Sequence, residues 1–477
     1  MQFKPVLNLM PSTVHNTASA QGTAVDICVL GGGAVGLAAV LSALKQGFSV
    51  LHLVQAPQVQ ATPPHSPVPR SFAVAPQVQA HLDRLGVWGV LSSEQVQRCT
   101  DMRVFWAHGE HENRPALLHL SAAQAGQDGL CSFVSESDLL AALKTVAAAA
   151  AGQLRTVSVP ALHQPVFAPH DPSNGMSVGM SITLAGHAPW RAQLCVLAQG
   201  AGSHAAAQLG VEPTVFDYQH SAVVAVLGCD AHSVGNTVGT TINPSTHNPS
   251  THSTPNTPAN TTAWQWLGSL AQGSDVLALL PLPNSPVPNM PVEPNEASCT
   301  AGRSRFGLVW SQPKAAAQAW IGQEAQLLAA VQARVGTAVG RLSLHSAVQQ
   351  FPLFKSTAPF TAPHTAVVGD AAHKIHPLAG QGLNLGFEDV FALFDTIASR
   401  EPWRSLGDAR VLARYQRRRQ AQAGAVGTLV HAIATREHWP AWLKQGSHAA
   451  LRAQQAWPIV GAPLRRALVN AATRGSV

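Results

Sequence analysis

The sequence predicts an α/β fold in which a strand–helix–strand unit is interleaved with a β-sheet unit and followed by a helical C-terminal part. Three observations predict it. Val25-Asp26-Ile27-Cys28-Val29-Leu30 is an apolar run that stops at three glycines, and Leu37 to Leu44 then has helical length. Far downstream, Val367-Val368 runs into Gly369-Asp370, turns through Pro377 and glycines, and gives way to a second apolar helix near Leu383. Between them, Ser221 to Gly228, Val276 to Leu282 and Phe306 to Trp310 read as strands of one sheet.

Gly31, Gly33 and Gly36 fill a G-x-G-x-x-G pattern between strand and helix, with Ala34 at the head of that helix. In this context the pattern marks a Rossmann-like, dinucleotide-binding unit. The run Ser49 to Val54 closes it. Ile27 to Leu44 carries no charge and has the length of a membrane span, but the glycine cluster argues against one. About 20 residues past the glycines such units place an acidic residue on the ribose hydroxyls. Here that position is Gln55, which can accept a hydrogen bond without charge. Holding the ribose by backbone alone, with Gln55 an ordinary loop residue, is the other reading.

The 477 residues suffice for two or three structural units. Charged residues make up 11% of the chain, against roughly 25% in average soluble proteins. The first 24 residues hold too little apolar sequence for a secretory signal. Six cysteines are scattered with no C-x-x-C pair, which fits buried thiols in a reducing cytoplasm rather than a disulfide frame or zinc site. Residues 401–477 hold 12 Lys+Arg against 3 Asp+Glu, a net of +9, which leaves about −3 for the rest. Arg410, Arg414, Arg417, Arg418 and Arg419 cluster around Tyr415, either as a solvated helical face or as a surface for anionic lipid headgroups. No aromatic platform accompanies them, so nucleic acid is not expected as a partner.

The downstream segment carries the chemistry. Its glycines leave bare backbone, and the helix beginning near Leu383 points an N-terminus with partial positive charge at the same place. His373 and His376, with Asp370 nearby, have a spacing that suggests metal ligands on a helix, but Pro377 and the glycines forbid a regular helix, so no metal is expected. The stretch from Val367 to Gly386 resembles the second FAD-binding motif of aromatic-ring hydroxylases, most of all the ubiquinone-biosynthesis hydroxylases. Gly36 and Gly369, 333 residues apart, stand in the order and spacing of that family. Phe351-Pro352-Leu353, Tyr415 and Arg417 to Arg419 resemble it too.

The resemblance implies that Gly31, Gly33, Ala34, Gly36, Gln55, Arg70, Gly200, Gly369, Asp370, Leu383 and Asn384 bind FAD. It implies that Pro377, Gly380, Gln381 and Gly382 lie along the reacting edge of the flavin. It further implies a division into an N-terminal extension (1–24), FAD-binding parts (25–105, 131–215, 350–400), substrate-domain parts (106–130, 216–349) and the basic helical region (401–477). Two middle positions depart from the family: Gln199 replaces an Asp and Ala206 an Arg, which bears on reductant recognition, while Gly200 and Ser203 fit. Residues 234–262, with the repeated Asn-Pro-Ser-Thr-His, and the loop from Asn284 to Arg303 are too polar to fold and are expected as disordered insertions.

The resemblance finally implies a cytoplasmic monooxygenase, peripheral on the inner face of the membrane, that hydroxylates a prenylated phenol for ubiquinone. It would use NAD(P)H as a transient reductant and O2 by way of a flavin hydroperoxide, within a biosynthetic complex. Two other readings stay open: a monooxygenase of a small soluble aromatic, and a scaffold that has kept the fold but lost catalysis.

Overall fold

The computed structural model describes residues 23–55, 70–106, 116–150, 152–159, 165–170, 179–200, 203–230, 261–268, 275–283, 303–336, 339–376 and 380–435. The N-terminal extension, both polar insertions and the basic residues beyond 435 fall almost entirely outside them.

Strand Thr23–Leu30 is the centre of the first sheet, and its buried run Ile27 to Leu30 suits a strand covered on both faces. It pairs in parallel with Val50–Gln55 on one side and Trp190–Leu197 on the other. Leu154–Val159 and Thr365–Val367 extend the parallel order outward. Helix Ala34–Lys45 packs on this sheet and against helices Glu136–Ala149 and Gly382–Ala398, joining Leu37, Val40, Leu139, Phe387 and Phe391 in one core.

The spine of the second sheet is the 17-residue strand Thr214–Asp230, bulged between Asp217 and His220. Arg303–Pro313 and Gln349–Thr357 flank it. Beyond lie Val276–Pro281, Thr262–Leu267, Asp101–Trp106 and Leu118–Ser121, antiparallel except where Thr262–Leu267 runs parallel to Asp101–Trp106. The period of two sorts its faces. Val223, Leu277, Leu308, Trp264 and Trp310 share a core with Leu327 and Val331 of helix Glu324–Val335. The alternate positions carry smaller side chains, among them Ala222, Ala278, Gly307, Val309 and Ser311. A three-stranded sheet of Ser71–Val74, Cys131–Ser135 and Val96–Cys99 completes the structure described.

Two strands fall differently from the expected division. Asp101–Trp106 crosses the boundary at 105 and belongs to the second sheet, as does Gln349–Thr357. Strand propensity encodes an extended chain but not which neighbour it pairs with. Helix Pro76–Arg84 stops where Gly86 takes a left-handed φ of 80° and the Gly86 and Val87 N–H groups bond back to Asp83 and Leu82. Ser135 caps helix Glu136–Ala149, its Oγ accepting the Asp138 N–H at 3.0 Å. The five described cysteines are free thiols, and burial pushes the Cys28 thiol up, with its Cys195 neighbour adding to the effect. Among the described residues no helix is long and apolar enough to cross a membrane.

Phe387 is fully buried and stacks on Phe391 at 6.2 Å. Phe387→Ala should therefore cost about 3–5 kcal/mol of unfolding free energy. A urea titration checks this; a loss under about 1 kcal/mol would mean that the helix is anchored elsewhere.

Candidate active site

Four strands of the parallel sheet end on one edge, and four expected site segments follow them. Gly31 follows Thr23–Leu30, Gln55 ends Val50–Gln55, Gly200 follows Trp190–Leu197 and Gly369 follows Thr365–Val367. Open α/β sheets bind ligands at the carboxyl ends of their strands.

The three glycines of the first turn differ in what they face. Gly31 has φ 125°, and a Cβ there would lie 2.5 Å from the Ala198 carbonyl oxygen. A Cβ on Gly36 would lie 2.1 Å from the Gly31 oxygen. Both are fixed by internal packing. Gly33 is exposed, caps helix Ala34–Lys45 without a side chain, and a Cβ on it would meet nothing within 4 Å. The space in front of that helix N-terminus is open, and its unpaired N–H groups favour an anion. Beneath the turn, buried His52 hydrogen-bonds the Gly31 oxygen through Nε2 at 2.9 Å. Burial holds the His52 pKa below its ordinary value, the Gly31 contact opposing it in part.

The second turn touches the first through Val35. Positions for a Cβ on Gly369, whose φ is 64°, and on Gly386 lie 3.2 and 2.8 Å from the Val35 methyls. Gly369 and Asp370 open a short 3-10 turn in which Asp370 is exposed. Behind it stands Asp389, wholly buried on helix Gly382–Ala398. Its Oδ2 accepts the Gly369 N–H at 2.8 Å and is 2.7 Å from His373 Nε2. Its Oδ1 accepts Arg419 Nε at 2.6 Å. Arg419, 1% exposed, also donates to the Leu385 carbonyl oxygen and to Gln422. Burial opposes its charge, but Asp389 and Glu388 outweigh that and raise its pKa. Four residues before it on the same helix, Tyr415 donates its hydroxyl to the Val367 carbonyl at 2.8 Å.

Asn384 clamps the other side of the loop. Its Nδ2 donates to the Ala73 oxygen at 2.8 Å, and its Oδ1 accepts the Ala75 N–H at 2.9 Å. Arg70, at the start of that strand, is exposed and sits over the Phe351 ring at 5.3 Å. The loop meets the second sheet through His376, whose Nε2 is 3.4 Å from Ser311 Oγ and whose ring contacts Tyr218 edge-on at 5.0 Å. The Tyr218 hydroxyl reaches His431 Nδ1 at 3.1 Å, and burial pushes its pKa up to about 12.

An FAD binding domain family model matches residues 304–429. The chain is 29% identical over 408 residues to the 3-demethoxyubiquinol 3-hydroxylase of Escherichia coli, covering 83% of this chain and 85% of that protein. It is 41% identical over 87 residues to the mitochondrial ubiquinone biosynthesis monooxygenase of Drosophila melanogaster, 18% of each chain. The p-nitrophenol 4-monooxygenase of Pseudomonas putida superposes with a TM-score of 0.63 at 16% identity, over 95% of this chain and 100% of that one. These likenesses support an FAD-dependent aromatic-ring hydroxylase, as the two glycine motifs imply, with FAD as its cofactor.

Its residues fit the group. The open space at Gly33 fronts one helix N-terminus, and a second N-terminus, Gly382 to Asn384, precedes the first i→i−4 bond from Leu385 to Gln381. Asp370 offers an exposed carboxylate at the strand end between them. Gly380, with φ 61°, and Gly382 leave the loop backbone bare. Pro377 lies outside the described residues.

The Asn384 side chain is spent on Ala73 and Ala75, which leaves its backbone at the helix N-terminus. One expectation needs correction. Arg419 is no surface cation: a buried carboxylate repays its desolvation, while Arg414 and Arg418 pair with Glu401 and Asp395, and Arg410, Arg417 and Arg418 are exposed. His373 and His376 turn to different partners, Asp389 and Ser311. Sequence reasoning missed Asp389 and His52. The acidic pair Glu388-Asp389 inside the otherwise apolar run from Leu385 to Phe394 was the signal for the first; an ordinary-looking strand gave none for the second.

Gly33→Val should fold, since its side chain meets open space, yet lose FAD, whereas Gly31→Val should fail to accumulate as folded protein. Flavin absorbance of the purified variants checks both; full flavin content in Gly33→Val would overturn the first. The His52 pKa, depressed below about 6.5 on folding, lends stability above that pH that is lost as pH falls through the folded value. His52→Gln should flatten the fall in melting temperature below about pH 6.5.

Proposed function

We propose that this hydroxylase adds oxygen to the aromatic ring of a polyprenylated phenol on the route to ubiquinone, with NAD(P)H as reductant and O2 as co-substrate. The similarity over 408 residues to an enzyme named for a demethoxyubiquinol ring carries the reading. When bound, FAD supplies the redox chemistry that splits dioxygen. The chain's part is to bind, orient and shield. Gly31, Gly33, Ala34 and Gly36 would take the pyrophosphate at the helix N-terminus. Asp370 would accept hydrogen bonds from ribityl hydroxyls, and Gln55 and Gly200 would border the adenosine side. Leu383 and the bare backbone of Gly380, Gln381 and Gly382 would set N–H groups beside the ring edge, where negative charge develops.

The ring of the phenol would lie between that loop and the small side chains of Ala222, Gly307 and Val309. Tyr218, its pKa pushed up by burial, stands beside it with His376. A long isoprenoid tail stays in the bilayer, so the enzyme would meet its substrate at a membrane surface, where exposed Arg410 and Arg417 remain for anionic headgroups.

The test supplies purified holoprotein with NADH or NADPH, O2 and either a prenylated phenol in detergent or its tail-less counterpart. The expected result is a prenylated product heavier by one oxygen atom, seen by mass spectrometry. Turnover of the tail-less phenol alone would overturn the substrate assignment.

A further inference from the structure

We infer that the C-terminal helix Ala409–Ala434 is part of the cofactor site without touching it: Tyr415 and, through Asp389, Arg419 are positioning residues for the Gly369–Asp370 turn. The inference rests on the reading that this turn holds FAD.

The geometry is economical. Tyr415 and Arg419 stand one helical turn apart and therefore share a face. Tyr415 holds the Val367 carbonyl at the end of the last parallel strand. Arg419 holds Asp389, which holds the Gly369 N–H. The two backbone groups fixed this way lie immediately before Asp370, one on each side of Val368. Asp370 itself is exposed, and its direction is set by the turn on which it rides. Arg419 also grips the Leu385 carbonyl, one turn into the helix whose N-terminus forms the other wall of the site. The same guanidinium thus locks the strand-end turn and the loop helix to one another. His373 closes the arrangement from the far side of the turn. All these donors and acceptors are buried, so they hold geometry in a medium where an unpartnered polar group is costly.

Tyr415→Phe, Asp389→Asn, Arg419→Lys and Arg419→Met are compared as apoproteins titrated with FAD, together with Asp370→Ala. Tyr415→Phe should raise the FAD dissociation constant several-fold. Asp389→Asn and Arg419→Met should raise it about tenfold to a hundredfold, the equivalent of one lost charge-assisted hydrogen bond. Arg419→Lys keeps the charge but not the two-sided grip and should fall between them. The decisive readout is non-additivity. Since Asp389 acts through Asp370, Asp389→Asn should cost little further affinity in a chain already carrying Asp370→Ala. Full additivity of the two losses would overturn the inference, because it would mean that Asp389 weakens FAD through general destabilisation. Unchanged affinity in folded Asp389→Asn and Arg419→Met would overturn it too. If Asp389→Asn fails to fold, Tyr415→Phe with Asp370→Ala provides the same cycle. Should Asp370→Ala itself leave FAD affinity intact, the reading of the turn falls instead.

Discussion

The carboxylate of Asp389 has no contact with solvent, and three segments of the chain converge on it. Taking a carboxylate and a guanidinium out of water costs several kcal/mol each, recovered only when geometry is good and the remaining hydrogen-bonding capacity is filled. Here two N–H donors and a guanidinium fill it. The helix that carries Asp389 begins with the bare glycine backbone two turns earlier. One rigid rod therefore sets both the loop's N–H groups and the strand-end turn beside it. Val35 then fixes this assembly against the first glycine turn, and the site becomes one cradle rather than two motifs.

How much of this was legible depends on the range of the interaction. The strand–glycine–helix order at 25–45 is local, and so is the glycine cluster after Val367; both could be read directly. The sequence does not separate Gly31 and Gly36, needed for packing, from Gly33, which leaves room. That distinction requires knowing that Ala198 lies across the turn. Asp389 sits among Phe387, Val390 and Phe391, while its partner lies 30 residues on in a run of arginines that composition assigns to solvent. Neither half announces the other. The same holds for Asn384, whose partners lie 309 and 311 residues away.

The middle motif shows which part of a signature the fold itself needs. Ser203 still caps a short helix through the Ala206 N–H at 3.1 Å. Ala206, where the family carries an arginine, is buried in the core of the first unit. The turn persists because backbone bonding and packing maintain it, whatever became of the charge.

The pairing of Trp190–Leu197 with Thr365–Val367 has a consequence for synthesis. The first sheet starts at residue 23, but its last parallel strand and the helix that covers Ala34–Lys45 arrive only with residues 365–398. At about 5–20 residues per second, the apolar face of the first helix waits on the order of tens of seconds for its partner. During that time the strand edge of Trp190–Leu197 and the surface around Val35 stay uncovered at the ribosome. A nascent chain of this kind offers holdase chaperones a long-lived target, and a pause in translation before Gly369 would prolong it.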